Sequence, residues 1–225
     1  VIIDEMQDYG LMAFVIMNKM FNCPKTVLGD IFQSIERKVE KEFLSDLTKL
    51  FGENTVLLDL KKSYRSTMEI AKFAQGFLEQ CNAENVSRHG AEPQKIASEN
   101  FDDMILQIKN KLSDKSSQKY TRRAIITKTD EEAKKIAIAL EKVCEVSLIE
   151  MSSQQIPEGN IVISAPVSKG LEFDLVIVPN YDNINYKTEI DKNSLYISCT
   201  RALHELMLCY FGQECELNSF KESKI

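Results

Sequence analysis

The chain has 225 residues, of which 44% are hydrophobic and 28% charged, so it suits a globular protein of one domain, or one domain plus part of another. The net charge of −6 excludes broad electrostatic binding of nucleic acid but leaves room for a local basic groove. No apolar run reaches the length of a membrane span, and six cysteines without a C-x-x-C pair predict reduced thiols in a cytosolic protein without a zinc site.

Strand-like and helical patterns alternate along the chain. In its first part the sequence predicts strands at 1–4, 26–30 and 55–60, and helices at 11–21 and 35–51. Next come a helix from Ser66 or Thr67 to about Gln80, a strand at 123–127, and a helix capped by Thr129 and Asp130. The last predicted elements are strands at 145–149, 161–165 and 174–180, a helix at about 192–202 and a strand at 205–210. The stretches 81–93, 113–121 and 181–193 are predicted connections.

This alternation predicts an α/β fold, with a parallel sheet covered by helices on both faces. Ligands of such folds bind at the carboxyl ends of the strands, which singles out the residues that follow each strand. Those residues are Asp4-Glu5, Gly29-Asp30, Ser63 to Arg65, and Ser164 to Gly170. Because Val1 already lies in a strand pattern, we expect the chain to be a fragment.

Acidic and amide side chains follow the first two predicted strands. In DEMQD (4–8), one interpretation of Asp4 and Glu5 is a helix N-cap. The alternative is a catalytic pair, in which Asp4 orients Mg²⁺ through water and Glu5 polarises an attacking water. In LGDIFQSI (28–35), the Gly-Asp pair predicts a turn with a capping Asp30. The alternative is a site where the neutral amide of Gln33 contacts a terminal phosphate oxygen.

Two arginines occur where elements meet. In KKSYRST (61–67), Tyr64 and Arg65 are either a packed ring and a solvated cation, or a platform for a nucleotide base and a planar cation for the γ-phosphate. In LYISCTRA (195–202), Arg201 ends a helix that leads into the final strand. It either stabilises the helix C-terminus or supplies a second cation to the same phosphate.

The stretch SKGLEFDLVIVPN (168–180) is the most specific in the chain. Gly170 allows close approach of the backbone, and Glu172 can accept from a sugar hydroxyl or pair with a neighbouring cation. The alternative interpretation is a short helical turn before a buried strand.

In this order, DEMQD, GDIFQSI, SYRST, SKGLEFDLVIV and LYISCTRA resemble motifs II to VI of superfamily 1 helicases of the UvrD/Rep type. The forms LDLKKSYRST and AIITKTDEEA are similar to the HelD-like branch. The resemblance implies two RecA-like lobes: the tail of the first at 1–35, a linking helix at 36–54, the second lobe at 55–215 and a frayed tail at 216–225. It also implies a phosphate loop in the missing part of the first lobe. No G-x-x-x-x-G-K-[ST] occurs in these residues, so we expect the chain alone to be inactive.

The resemblance implies roles for individual residues, with ATP and Mg²⁺ bound between the lobes. The implied catalytic residues are Glu5 as base, Gln33 as γ-phosphate contact, and Arg65 and Arg201 as arginine fingers. The implied nucleotide-binding residues are Asp4 (which also binds Mg²⁺), Tyr64, Gly170 and Glu172. Relatives often carry a histidine before the Lys-Gly pair, where this chain has Pro166, and this leaves Ser164 and Ser168 as candidates for contacting nucleic acid.

Two active functions fit these motifs. The first is an ATP-driven helicase or translocase on single-stranded DNA. The second is a HelD-like remodelling factor that releases RNA polymerase from nucleic acid. It is favoured by the short span between Arg65 and Lys169, which leaves no room for the accessory subdomain of UvrD and Rep. A degenerate, non-catalytic lobe is a third alternative, and the intact Asp4, Glu5, Arg65 and Arg201 argue against it.

Overall fold

The computed structural model describes residues 1–34, 41–60, 62–63, 65–78, 84–85 and 88–218. The chain divides into two compact units, Val1–Lys61 (unit 1) and Lys62–Ile225 (unit 2). Among the described residues, no helix combines the length and the apolar character that crossing a membrane requires.

Unit 1 contains two short parallel strands and two helices. They are β1 (Ile2–Ile3), α1 (Leu11–Met20), β2 (Thr26–Val27) and α2 (Lys41–Phe51), with 3-10 turns at Met6–Asp8 and Ile31–Gln33. Among its described residues the core is small, with Ile3, Phe14 and Leu47 as the buried members of its hydrophobic cluster. The predicted helix at 11–21 is confirmed, and residues 35–40 of the predicted 35–51 helix lie outside the described residues.

The predicted strand at 55–60 is wrong. Residues 55–60 form no ladder with any described residue, and Val56, Leu58 and Leu60 are 77%, 77% and 86% exposed. An apolar β-branched run can form a strand only where a neighbouring strand satisfies its backbone groups. The ladder begins two residues later, where β3 (Lys62–Ser63) pairs with β4 (Glu84–Asn85).

Unit 2 is built around a six-stranded sheet. After β3 its elements are α3 (Met68–Gln75), β4, β5 (Gln94–Ser98), α4 (Phe101–Ser113), β6 (Arg122–Thr127), α5 (Asp130–Glu141), β7 (Ser147–Ile149), β8 (Gly159–Ser164), β9 (Phe173–Val178), α6 (Glu189–Thr200) and β10 (Ala202–Phe211). The strand order is β5-β10-β9-β6-β8-β7, and every pairing in it is parallel. Helices α4 and α5 pack on one face and α3 and α6 on the other. The predicted α/β, RecA-like fold class is therefore confirmed.

The central strands alternate between the two helix layers, as side chains of a strand must. Ile125, Val162, Leu175 and Ile177 belong to the cluster that packs against α4 and α5. All four are fully buried. Because helices cover both faces of the sheet, β6, β8 and β9 are continuous apolar runs in the sequence. For this reason their positions were predicted within two residues.

Candidate functional site

The two acids of DEMQD lie at the carboxyl end of β1, as predicted. Asp4 is exposed, and its Oδ1 accepts from the backbone N–H of Glu5 (2.8 Å). Glu5 has left-handed backbone angles (φ 52°, ψ 48°) and immediately precedes the 3-10 turn. Few residues other than glycine adopt this conformation, and such strain clusters at functional sites.

The residues around Asp4 fit a magnesium ion bound mainly through water and substrate phosphates. No group of three or more His, Cys, Asp or Glu side chains in the described part of the chain could hold a metal ion. Mg²⁺ uses one or two carboxylates and keeps several waters, so a single exposed carboxylate at a strand end suits it.

Gln33 lies in the turn that follows β2. Asp30 is the N-cap of this turn, and its Oδ1 accepts from the N–H of Phe32 (3.0 Å), which confirms the predicted capping turn. Asp30 Oδ2 accepts from Nε2 of Gln33 (3.0 Å). The Gln33 amide is therefore held by the same carboxylate that caps the turn.

Arg65 and Glu172 form an ion pair in unit 2, through Nε of Arg65 and Oε1 of Glu172. Their side chains are 40% and 42% exposed. The neighbouring cation that the sequence offered as a partner for Glu172 is thus Arg65. An ion pair this exposed contributes about 0–1 kcal/mol to the stability of the fold, so either side chain can change partner at little cost.

Arg201 is held differently, because its side chain is buried (1% exposed) at the C-terminus of α6. Its Nε donates to the carbonyl of Ile197 (3.3 Å) and its Nη1 to the carbonyl of Leu171 (3.3 Å). A buried charge requires such hydrogen bonds. The guanidinium is therefore fixed between α6 and the KGLEFD segment.

Three segments that are distant in sequence meet at this place in unit 2. The Arg65–Glu172 pair and the Arg201–Leu171 hydrogen bond both end on residues 171–172. In addition, the hydroxyl of Ser66 donates to the carbonyl of Ala202 (2.7 Å). The structure therefore brings the arginines of SYRST and CTRA to the Leu171-Glu172 part of KGLEFD.

Gly170 lies in the turn before this glutamate, with φ +75°. A Cβ atom built on Gly170 would have no protein atom within 4 Å. Within the chain, glycine is needed here for its backbone conformation rather than for close packing, and the space beside it is open.

The expectation that Ser164 and Ser168 contact nucleic acid does not agree with their positions, since both are fully buried. The hydroxyl of Ser164 donates to Oδ1 of Asp130 at the start of α5. The hydroxyl of Ser168 donates to the carbonyl of Ala165 (2.9 Å). Both hydroxyls are therefore used inside unit 2, Ser164 at the end of β8 and Ser168 in the turn that follows it. Tyr64 lies outside the described residues.

Sequence reasoning did not identify the polar contacts of Lys128, which follows β6. Its Nζ pairs with Oδ1 of Asp191 (2.6 Å) and donates to the carbonyl of Asn185 (2.6 Å). Burial would raise the pKa of Asp191, but hydrogen bonds from Lys128 and from the N–H groups of Lys187 and Thr188 outweigh it and hold the pKa below its usual value. The available signal was the lysine directly after an apolar strand.

Gln7 was also left without a role, although it stands inside DEMQD. It is 1% exposed, donates to Oε2 of Glu5, and accepts from the N–H of Asp30 (3.1 Å). The available signal was the position of Gln7, a polar residue two positions after Glu5.

Among solved structures, the chain is similar to the C-terminal domain of a possible DNA helicase from Lactobacillus plantarum WCFS1. The two share 36% sequence identity, with a TM-score of 0.59, over 69% of this chain and 91% of that chain. No protein-family model and no curated protein matches the chain.

Proposed function

The chain belongs to the same family as this helicase C-terminal domain, and we propose that it is the C-terminal motor part of a superfamily 1 DNA helicase or translocase. In this proposal it takes part in ATP hydrolysis and couples it to movement on single-stranded DNA. The observation that carries the proposal is that Arg65 and Arg201 both bond to the same short segment of unit 2, Arg65 to the side chain of Glu172 and Arg201 to the carbonyl of Leu171. Two cations and an acidic acceptor gathered at one segment suit a nucleotide, which presents phosphates and sugar hydroxyls together.

The proposed chemistry in unit 1 uses three side chains. Asp4 binds Mg²⁺, which when present neutralises charge on the phosphates. Glu5 accepts a proton from the attacking water, and Gln33 contacts the terminal phosphate. The location of Asp4 and Glu5 directly after β1 supports these roles, because ligands of parallel sheets bind at the strand ends.

The proposed chemistry in unit 2 uses both arginines as fingers on the γ-phosphate. Arg65 leaves its exposed pair with Glu172 to do so, which frees Glu172 for the ribose, while Tyr64 stacks on the base. Gly170 allows the backbone to approach the nucleotide, and the open space beside it supports this role. These 225 residues hold no G-x-x-x-x-G-K-[ST], so the activity belongs to a protein that also supplies a phosphate loop.

The test is ATP hydrolysis by the full-length protein, with and without single-stranded DNA. We expect Glu5→Gln to abolish turnover. Arg65→Ala should lower kcat by about 10³-fold or more, with a smaller effect on KM, because a finger acts mainly in the transition state. Arg65→Lys should recover little activity, since a point charge lacks the planar fork. Turnover within about twofold of wild type for both Glu5→Gln and Arg65→Ala, well under 1 kcal/mol, would refute the proposal.

The second candidate is a HelD-like factor that uses the same ATPase to release RNA polymerase from nucleic acid. It is favoured by the span between Arg65 and Lys169, where the described residues build β4 to β8 and α3 to α5 within unit 2. The two functions are separated by measuring duplex unwinding and release of polymerase from a stalled complex with the same preparation. Release without unwinding selects the second function.

A further inference from the structure

The strongest unassigned feature is the buried side chain of Gln7, between the two motif segments of unit 1. Its Nε2 donates to Oε2 of Glu5, and its Oε1 accepts from the N–H of Asp30 (3.1 Å). The partners determine the orientation of the amide, because a carboxylate can only accept and a backbone N–H can only donate. Glutamine satisfies both at once.

The backbone next to Gln7 is held by a hydrogen bond and by close packing. The N–H of Met6 donates to the carbonyl of Leu28 (2.9 Å), which joins the segments that follow β1 and β2. A Cβ atom on Gly29 would lie 2.5 Å from Oε1 of Gln7 and 2.8 Å from the nitrogen of Met6. Gly29 is therefore required by the space that Gln7 and Met6 occupy.

The hydrogen bonds continue beyond Asp30. Its carboxylate accepts from the N–H of Phe32 and from Nε2 of Gln33, both at 3.0 Å. The result is a chain of hydrogen bonds from Glu5 through Gln7 and Asp30 to Gln33, in which Asp30 contributes its backbone N–H on one side and its carboxylate on the other.

We propose that Gln7 is a positioning residue that holds the carboxylate of Glu5 in place and links it to Gln33 through Asp30. This inference rests on the proposed function, in which Glu5 is the base and Gln33 contacts the terminal phosphate. In this role Gln7 acts through Glu5 and Asp30. It stabilises the left-handed backbone of Glu5. It also fixes the position of the Glu5 carboxylate relative to the amide of Gln33.

The decisive variant is Gln7→Glu in the full-length protein. It keeps the shape and the acceptor for the Asp30 N–H, but it replaces the donor to Glu5 with a like charge. We expect kcat for ATP to fall about tenfold or more while KM stays within about twofold, as when a group that orients a reacting residue is lost. Gln107→Glu is the matched control, because Gln107 also donates to a carboxylate, that of Asp103 in α4. It should leave kcat unchanged.

A second readout follows the structure rather than activity. In the full-length protein, amide hydrogen exchange at Asp30 should keep its wild-type rate in Gln7→Glu, which retains the acceptor, and should accelerate in Gln7→Met, which fills the space with neither hydrogen bond. If Gln7→Glu does not fold, Gln7→Met is judged by the same kcat criterion.

The outcomes separate this inference from the proposed function. If Glu5→Gln abolishes turnover while Gln7→Glu stays within twofold of wild type, the inference is overturned and the proposed function stands. If Glu5→Gln has no effect, the proposed function itself fails. A loss of kcat in Gln107→Glu equal to that in Gln7→Glu would also overturn the inference, because the effect would then not be specific to this chain of hydrogen bonds.

Discussion

The two proposed fingers show how differently one residue type can be held. Arg65 is exposed and its side chain pairs with Glu172, whereas Arg201 is buried and bonded to backbone carbonyls of α6 and the KGLEFD segment. The guanidinium of Arg201 therefore stabilises the fold in addition to any role in binding a ligand. The guanidinium of Arg65 contributes little to the stability of the fold.

We expect this difference to appear in stability. Arg201→Ala should lower the free energy of unfolding of unit 2 by roughly 2–4 kcal/mol, since it leaves buried carbonyls without donors and opens a cavity. Arg65→Ala should change it by about 1 kcal/mol or less. Urea unfolding followed by far-ultraviolet circular dichroism measures both, because the chain has no tryptophan for fluorescence. Equal effects of the two substitutions would contradict the burial difference.

Gly170 provides a second test at the same scale. Its φ of +75° places a Cβ in the disfavoured left-handed region, although the surrounding space is open. Gly170→Ala should therefore cost about 1–2 kcal/mol of stability, and Gly170→Asn clearly less, because asparagine tolerates this region. If both variants unfold at the same urea concentration, the backbone argument is wrong.

At the scale of elements, the sequence predicted those whose pattern reflects their own burial. The apolar runs of β6, β8 and β9 and the Thr129 cap of α5 were visible because each depends on local residues. The edge strand β5 was not assigned, since QKIAS offers only Ile96 and Ala97 as apolar residues. The following helix α4 was also not assigned, although Met104, Ile108 and Leu112 are spaced to face the sheet.

The candidate site could be predicted in its parts but not in its contacts. Spacing identified Arg65, Glu172 and Arg201 singly, yet their meeting depends on strand order, which no local pattern encodes. The same limit applies to Ser164 and Ser168. Their place at the end of a predicted strand made them candidates for contacting nucleic acid, and only the fold shows that both are buried.

Helix α1 carries an unusual exposed surface for its element type. Met12, Ile16 and Met20 follow a four-residue spacing and are 69%, 51% and 67% exposed, while Phe14 is buried on the opposite side. An exposed apolar stripe of this kind favours association.

We therefore expect the 225-residue chain to self-associate in solution and Ile16→Glu to reduce this association. Lys19→Gln is the control on the same helix, since it changes the net charge by the same amount without removing apolar surface. Sedimentation velocity over a range of protein concentrations measures the effect. A wild-type chain that stays monomeric at all of them would contradict the prediction.

At the scale of the whole molecule, the two units have separate cores of very different size. Among the residues that the structure describes, the cluster of unit 1 has three buried side chains, whereas the cluster between the sheet and helices α4 and α5 of unit 2 has fourteen. Stability that comes from burial should therefore be distributed unevenly between the units.

We expect the chain to unfold in two transitions, with unit 1 first. Amide exchange should be fast at Leu28, which pairs with Ile3 in unit 1, and slow at Val176 and Ile177 in the centre of the six-stranded sheet. Mass spectrometry or nuclear magnetic resonance under native conditions resolves these positions. Equal protection in both units would show that they unfold together.

The strand order of unit 2 also has a consequence for biosynthesis. Among the described strands, β5 pairs with β10 alone, and Gln94 lies opposite Met207, near the end of the described chain. At ribosomal speeds of roughly 5–20 residues per second, β5 waits on the order of ten seconds for its partner to be made. During that time the strands made between them have no β10 to join them to β5, so the growing chain presents unpaired strand edges to its surroundings. Synthesis of this protein should therefore depend on chaperones that shield nascent chains until β10 leaves the ribosome.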